Sequence, residues 1–135
     1  MPMENRNGFE IITTSKAGVS SFPTSQGARV GHLIVTSGHG PLSPGAAVVQ
    51  AKTFREQVTQ TIRNIESVLK EAGSDLEHIV RMQVYLRNFE DLKEFNEVYT
   101  ELMPRPYPPR ACVIAKKLVR EDIDVEMIAT AVVAS

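Results

Sequence analysis

Two stretches of the chain place apolar residues at helical spacing. Between Thr53 and Ala72 the apolar positions recur every three or four residues, polar side chains fill the opposite face, and Gly73 follows as a natural helix end. These apolar positions are Phe54, Val58, Ile62, Ile65 and Leu69. A second helix is predicted to begin at Asn88 and to end before Pro104. Its apolar stripe consists of Leu92, Phe95, Tyr99 and Leu102.

Other stretches have the alternation or the β-branched content of strands. In IVRMQVYL, residues 79–86, the even-numbered residues form one apolar face. VGHLIVTS, residues 30–37, is rich in β-branched side chains and runs into a loop rich in glycine and proline. The remaining predicted strands are a short segment at 46–49 and two closing strands at 110–116 and 123–133.

The order of these elements predicts a single α+β domain over residues 1–135, with residues 1–9 as a flexible N-terminal extension. Two helices with one apolar face each are expected to cover one side of a mixed sheet, which leaves the other side uncovered in a monomer. The last strand fits this arrangement, since Val125, Met127, Ala129 and Ala131 share one face and Asp124, Glu126, Ile128 and Thr130 share the other. The uncovered face is therefore a predicted subunit interface.

Composition and charge narrow the class of protein. The chain has 42% hydrophobic and 23% charged residues, and its 15 Lys and Arg nearly balance its 16 Asp and Glu. That balance gives no electrostatic reason to expect nucleic acid or a membrane surface as partner. The single cysteine excludes an internal disulfide, and His32, His39 and His78 lie too far apart for a local metal motif, so no metal site is predicted. With no apolar leader or membrane-length segment, we expect a cytoplasmic protein.

The closing strands carry the first candidate chemistry. Arg110 and Cys112 are two residues apart on one strand and should share a face. A guanidinium can bind a carboxylate through two hydrogen bonds, so Arg110 suits capture of a small anion, although the spacing alone favours a solvated arginine or a structural ion pair. Cys112 has no base nearby in sequence and is expected to pack as a small apolar residue. Asp124 or Glu126 could deprotonate a water, or both could lie on a wet face.

Two further positions are candidates for ligand binding. The segment Thr36-Ser37-Gly38 ends a predicted strand, where backbone N–H groups and a hydroxyl can bind a carboxylate, though a plain transition from strand to loop needs no ligand. Asn96 flanks the stripe of the second helix and could donate to a ligand if a pocket lies beside it.

Four segments together resemble one family. They are VTSG at 35–38, FNEVY at 95–99, PRACV at 109–113 and DVEMIATA at 124–131. In this order and spacing they resemble the reactive-intermediate deaminase family, also called Rid or YjgF-like, from about residue 10 onward. The resemblance implies a chorismate-mutase-like subunit with a mixed six-stranded sheet and two helices on one face. It also implies a homotrimer with a barrel-like centre and ligand clefts between subunits.

The resemblance further implies hydrolytic deamination of enamines and imines such as 2-aminoacrylate to 2-oxo acids and ammonia, with no cofactor. By this resemblance Arg110 holds the substrate carboxylate, Ser37, Gly38 and Asn96 line the pocket, and Cys112 forms a wall beside the arginine. The water-activating acid falls on Asp124. Because the stretch from Leu118 to Asp124 is one residue shorter than in the family, an alternative alignment gives that role to Glu126.

Two departures from the family pattern keep a second function open. Asp124 stands where deaminating members usually have glutamate, and FPTSQ at 22–26 replaces the usual GPYSQ, so that Thr24 takes the place of a pocket tyrosine. The alternative is a trimer that binds a carboxylate metabolite without turning it over. Ribonuclease action, attached to some relatives, is disfavoured by the near-neutral charge and by the lack of a basic, aromatic-laced stripe.

Overall fold

The computed structural model describes residues 3–135 as seven strands and two α-helices. The strands are β1 (Met3–Arg6), β2 (Phe9–Ile12), β3 (Gly27–Val30), β4 (Leu33–Thr36), β5 (Ile79–Leu86), β6 (Arg110–Ile114) and β7 (Val125–Val132). The helices are α1 (Phe54–Glu71) and α2 (Leu92–Leu102), and short 3₁₀ turns precede β5 and α2. No helix in the described part of the chain is long and apolar enough to cross a membrane.

All strands belong to one mixed sheet in the order β1-β2-β3-β4-β7-β5-β6. Neighbouring strands are antiparallel except β5 and β6, which run parallel and are joined through α2. Both helices pack on the same face of the sheet, and side chains from α1, α2, β5 and β7 form its core. The predicted α+β fold, with a mixed sheet and two helices on one face, is confirmed.

The first helix has the ends that its sequence predicts. The Thr53 hydroxyl accepts a hydrogen bond from the backbone N–H of Glu56, whose carboxylate accepts one from the backbone N–H of Thr53 in return. This reciprocal cap satisfies donors that the first helical turn cannot pair. At the other end Gly73 has a φ of +84°, a left-handed conformation that other residues adopt only at a cost.

Three local expectations were wrong. VGHLIVTS is not one strand, because Gly31, with a φ of +60°, turns the chain between β3 and β4. The segment 46–49 forms no strand and contributes only an isolated bridge from Val49 to Leu42. In β5 an irregularity between Ile79 and Arg81 reverses the alternation, so that Ile79 is buried and Val80 exposed.

The N-terminal segment adds a strand to the six that the family resemblance implies. Residues 3–6, within the stretch 1–9 treated there as a flexible extension, pair with β2 from Arg6↔Phe9 to Met3↔Ile12. Gly8, with a φ of +93°, lies in the tight turn between the two strands. The described part of the extension is therefore the seventh strand, at the edge of the sheet, and residues 1 and 2 lie outside the described part of the chain.

The face of the sheet opposite the helices is uncovered and partly apolar. Val30, Leu33 and Val35 on β3 and β4 and Val113 on β6 are each more than two fifths exposed. The strand register places them on the same face as Ile128 and Thr130 of β7. The uncovered, mixed face predicted for the last strand is thus present, and large exposed apolar patches of this kind mark association surfaces.

Candidate functional site

A cleft opens where β4 and β7 meet the loops that flank them. Its two adjoining lobes have volumes of about 200 Å³ and about 230 Å³ and share one wall. The residues common to both lobes are Ser20, Thr24, Ser37, Gly38, Gly40 and Leu42. Three of the residues predicted from sequence, Thr24, Ser37 and Gly38, therefore lie together.

The side chain of Asn64, on α1, holds two of the chain segments that line this cleft. Its side chain is fully buried, and Nδ2 donates to the carbonyl oxygens of Gly40 and Leu42 at 3.0 and 2.8 Å. Its Oδ1 accepts from the backbone N–H of Gly18 at 3.2 Å and from Nε2 of Gln60 at 2.9 Å. One buried amide thus ties the segment around Gly18 to the segment that follows β4.

The amide side chain of Gln26 holds another part of the cleft lining. Its Nε2 donates to the carbonyl oxygens of Gly18 and Thr14, and its Oε1 accepts from the backbone N–H of Thr14. The carbonyl oxygen of Gln26 accepts from the backbone N–H of Ser37 at 3.0 Å. The loop before β3 is therefore fixed to the end of β4 without a ligand.

His39 supports the Ser37 hydroxyl. The His39 side chain is buried, with Nε2 3.0 Å from the carbonyl oxygen of Gln26 and 3.4 Å from Oγ of Ser37. Burial lowers the pKa of His39, so the neutral ring with a proton on Nε2 is the form that fits, donating to the Gln26 carbonyl. This leaves His39 as a positioning group and Ser37 as the hydroxyl that lines the cleft.

Glu126 lies in the second lobe of the cleft, directly against Gly38. A Cβ atom added at Gly38 would overlap the Glu126 carboxylate, so only glycine allows this approach. Among the side chains that the structure describes, those of Asn5 and residues 7–135, none forms a salt bridge to Glu126, and burial raises the pKa of its carboxyl above the ordinary value. A half-buried acid with a raised pKa at the edge of a cleft accepts a proton more readily than an exposed carboxylate does, which suits it to general acid–base work.

Asp124 is placed differently. It precedes the first residue of β7, and its carboxylate lies 3.2 Å from Nε of Arg87 in an ion pair. It does not line either lobe of the cleft. Of the two acids that the sequence analysis leaves open, Glu126 is the one beside Ser37 and Gly38.

Arg110 begins β6 and lies against α2 on the helix-covered face. Its Nη2 donates to Oδ1 of Asn96 at 2.7 Å, and its guanidinium carbon lies 4.8 Å from the ring centre of Tyr99 and 5.4 Å from that of Phe95. No carboxylate of residues 7–135 lies within salt-bridge distance of it, so the ion-pair explanation finds no support in that part of the chain. The exposed guanidinium is oriented by one amide and two rings, with donors left for an anion.

Cys112 shares the Arg110 face, as its spacing predicts. Burial raises the pKa of the thiol, and the nearby Arg110 offsets this only in part. The thiol therefore stays protonated at neutral pH and forms a wall rather than a nucleophile. The hydroxyl of Tyr99, whose ring packs against the Arg110 guanidinium, is buried with no hydrogen-bond partner in the described part of the chain.

Within one subunit these two groups of residues are separated. Glu126 pairs with Tyr85 on the uncovered face, whereas Arg110 pairs with Met82, whose side chain belongs to the core under the helices. From strand spacings of about 4.8 Å and a rise of about 3.3 Å per residue, their Cα atoms are about 14 Å apart on opposite faces of the sheet. A substrate as small as a three-carbon acid cannot bridge them.

Sequence reasoning missed the groups that hold the cleft together. His39 was given no role, Asn64 was not singled out, and Gln26 appeared only within FPTSQ. A buried amide on a helix face otherwise lined by apolar residues is the signal that could have drawn attention to Asn64. Where the structure describes side chains, no three or more of His, Cys, Asp or Glu are grouped so as to hold a metal ion.

The fold and the cleft define a small α+β protein with a metabolite-sized site. The model of the family described as Endoribonuclease L-PSP matches residues 15–133, nearly the whole chain. A RutC family protein of Saccharolobus solfataricus is 38% identical over 112 residues, which cover 83% of this chain and 89% of the relative. The chain belongs to this family, that of the RidA, YjgF and RutC proteins, as its sequence motifs predict.

Other relatives and solved structures agree with this assignment. Reactive Intermediate Deaminase A, chloroplastic, of Arabidopsis thaliana is 30% identical over 122 residues, which cover 90% of this chain and 65% of the relative. The crystal structure of RidA from the Antarctic bacterium Psychrobacter has a TM-score of 0.86 at 28% identity, covering 91% of this chain and 98% of that one. E. coli TdcF, crystallised with bound serine, has a TM-score of 0.82 at 29% identity, covering 90% and 97%.

Proposed function

We propose that the protein is a hydrolase that deaminates small 2-imino acids and their enamine tautomers, such as 2-aminoacrylate, to 2-oxo acids and ammonia. The observation that carries this proposal is the position of Glu126, half-buried against Gly38 in a cleft with the Ser37 hydroxyl. Membership of a family that includes a reactive intermediate deaminase supports the reaction class. The serine bound to the similar TdcF structure supports a small amino-acid-like ligand that carries a carboxylate.

The proposed site is completed by a second copy of the chain. Arg110 and Asn96 of one copy hold the substrate carboxylate, and Ser37, Gly38 and Glu126 of its neighbour face the imine carbon. The separation of about 14 Å within one chain, on opposite faces of the sheet, favours this arrangement. The apolar uncovered face supplies a surface for assembly, and we propose the homotrimer that the sequence motifs imply.

In the proposed reaction Glu126 accepts a proton from a water whose oxygen attacks the imine carbon. The C=N double bond becomes a single bond, and Glu126 passes the proton it took from the water to the nitrogen, which gives a carbinolamine. Glu126 then takes the proton of the new hydroxyl group and gives it to the nitrogen as the C–N bond breaks, so that ammonia leaves and the hydroxyl oxygen becomes the carbonyl of the 2-oxo acid. General acid–base help of this kind contributes roughly 10² to 10⁴-fold.

The test generates 2-aminoacrylate from serine with a dehydratase and follows loss of the imine. We expect micromolar protein to accelerate this loss and Glu126→Gln to abolish the acceleration. Asp124→Asn, the matched acid outside the cleft, should keep most of it when circular dichroism confirms its folding. Arg110→Ala should raise KM, because the carboxylate loses its cation. A background rate with the native chain would exclude deamination of this substrate.

One alternative is kept because Thr24 stands where the family usually has a pocket tyrosine. The chain would then bind 2-oxo acids without turning over imines, and calorimetry would detect saturable binding that Arg110→Ala removes. Ribonuclease action, which the family description names, gains no support from a net charge of −1.

A further inference from the structure

We propose that Phe22 and Val119 form an apolar wall at the mouth of the cleft that binds the side chain of the substrate. The enzyme is thereby selective for 2-imino acids with a bulky aliphatic side chain, such as the imine of leucine, over 2-aminoacrylate. This inference rests on the proposed function, since it names the substrate class of the same site.

The wall consists of two side chains that the fold itself does not need. Phe22 is 51% exposed and Val119 is 68% exposed, yet both line the same lobe of the cleft as Glu126. Neither belongs to the hydrophobic core. Large apolar side chains held open to solvent at the edge of a cleft favour an apolar occupant, because burying them removes apolar surface from water.

The wall continues into the cleft. Ile123, which is 2% exposed, and Leu42 lie in the same lobe and extend the apolar surface toward Glu126. On the polar side, Ser37 and Gly38 face the reacting end of the proposed substrate. The lobe therefore has a polar end for the imine and an apolar end for a side chain, and 2-aminoacrylate carries only a methylene toward the apolar end.

The short side chain of Thr24 leaves room in this lobe, so that the ring of Phe22 can line it. The Thr24 side chain is short, and its hydroxyl donates to the carbonyl oxygen of Ser25 at 3.3 Å. The aromatic surface that reaches the lobe comes from Phe22, two residues earlier. A substrate side chain that packs on this ring would be held by contact area rather than by hydrogen bonds, which suits an aliphatic chain.

The experiment compares the imines of alanine and leucine, each generated by an amino-acid oxidase and followed by competition with a carbonyl trap. In the native protein we expect kcat/KM for the leucine imine to exceed that for the alanine imine by about 10-fold, since methylene groups in an apolar pocket give selectivity of this order. Phe22→Ala and Val119→Ala should each reduce this ratio several-fold, because kcat/KM for the leucine imine falls more than kcat/KM for the alanine imine. Phe89→Ala removes a phenylalanine that is 67% exposed outside the cleft and should leave both values unchanged.

A binding measurement separates this inference from the proposed function. If the native protein deaminates neither imine, calorimetry compares 4-methyl-2-oxopentanoate with pyruvate. Tighter binding of the bulkier acid, lost in Phe22→Ala, would support the wall although the deaminase proposal fails. Equal binding of the two acids would overturn the wall.

Other results also decide against the wall. An equal loss for both imines in Phe22→Ala, or no loss for either, would overturn it. So would a change of oligomeric state in light scattering, because Phe22 would then be an assembly residue. If Phe22→Ala does not fold, Phe22→Leu keeps an apolar side chain and should retain the preference for the leucine imine within about threefold.

Discussion

The buried amide of Asn64 offers the sharpest test of how the cleft is held. Asn64→Ala removes four hydrogen bonds and leaves the N–H of Gly18 and the carbonyl oxygens of Gly40 and Leu42 without their partner. An unsatisfied buried group costs about 1–3 kcal/mol, but these three border a cleft that water can enter. We therefore expect a loss of about 2–4 kcal/mol in the free energy of unfolding, below the full sum.

The assay is urea unfolding followed by circular dichroism, since the chain has no tryptophan. Protomer concentration is held constant because assembly contributes to the apparent stability. Asn88→Ala is the control, because Asn88 is exposed and makes only one long side-chain contact, at 3.4 Å to Asp91. It should change the free energy of unfolding by less than about 0.5 kcal/mol.

Asn64→Asp separates loss of hydrogen bonds from loss of volume. The aspartate can still accept from Gly18 and Gln60, but its second oxygen faces the carbonyl oxygens of Gly40 and Leu42 in place of a donor. Its destabilisation should therefore grow as the pH rises and the carboxylate ionises. A loss below about 1 kcal/mol in Asn64→Ala, or a pH-independent effect in Asn64→Asp, would contradict this account of the cleft.

Three further predictions concern the cleft itself. Gly38→Ala should displace the Glu126 carboxylate and lower the deaminase activity at least 10-fold. The control is Gly40→Ala, whose added Cβ meets only ordinary contacts from 3.5 Å to Ile123 and should leave the activity near the native value. Equal activities of the two variants would refute the clash at Gly38. Because burial raises the pKa of Glu126, the stability this group contributes is full below the ordinary value of 4.5 and is lost as the pH rises through the raised one. Glu126→Gln should thus melt above the native protein at about pH 8 and converge with it near pH 4. Because burial lowers the pKa of His39, its contribution is full above 6.5 and is lost as the pH falls through the lowered value, so His39→Gln should flatten the melting curve against pH in that acid range.

The elements whose bounds the sequence predicts best are those with a strong hydrophobic periodicity. The helix α1 begins and ends where Thr53 and Gly73 predict, and β5 spans residues 79–86 as expected, because one apolar face must be buried. The turn at Gly31 was missed, since a glycine within a β-branched run can also be a strand residue. The reversal at Val80 depends on an irregular pairing with β7 that no local pattern reveals.

The candidate site was only partly visible in the sequence. Alternation placed Asp124 and Glu126 on one face, but β7 begins at Val125, so Asp124 turns to pair with Arg87. The partners of Arg110 on α2 could not be found from spacing, because 14 residues separate Asn96 from it. The contact between Glu126 and Gly38 exists only in the tertiary structure. The clue available in the sequence was Gly38 itself, because a residue without a Cβ lets another side chain approach closely.

Because Arg110 and Glu126 lie on opposite faces of the sheet, each subunit of the proposed assembly contributes residues to two different sites. It supplies Arg110 to one site and Glu126 to another. At a substrate concentration far below the raised KM of Arg110→Ala, that variant and Glu126→Gln should each show little activity, and they should rescue one another when they are unfolded together and reassembled. Random mixing in equal amounts leaves about one site in four with an intact arginine from one chain and an intact glutamate from its neighbour. Recovery of about a quarter of the native activity would mean that a copy with one site residue replaced still contributes its other, intact residue to the site it shares with a neighbour.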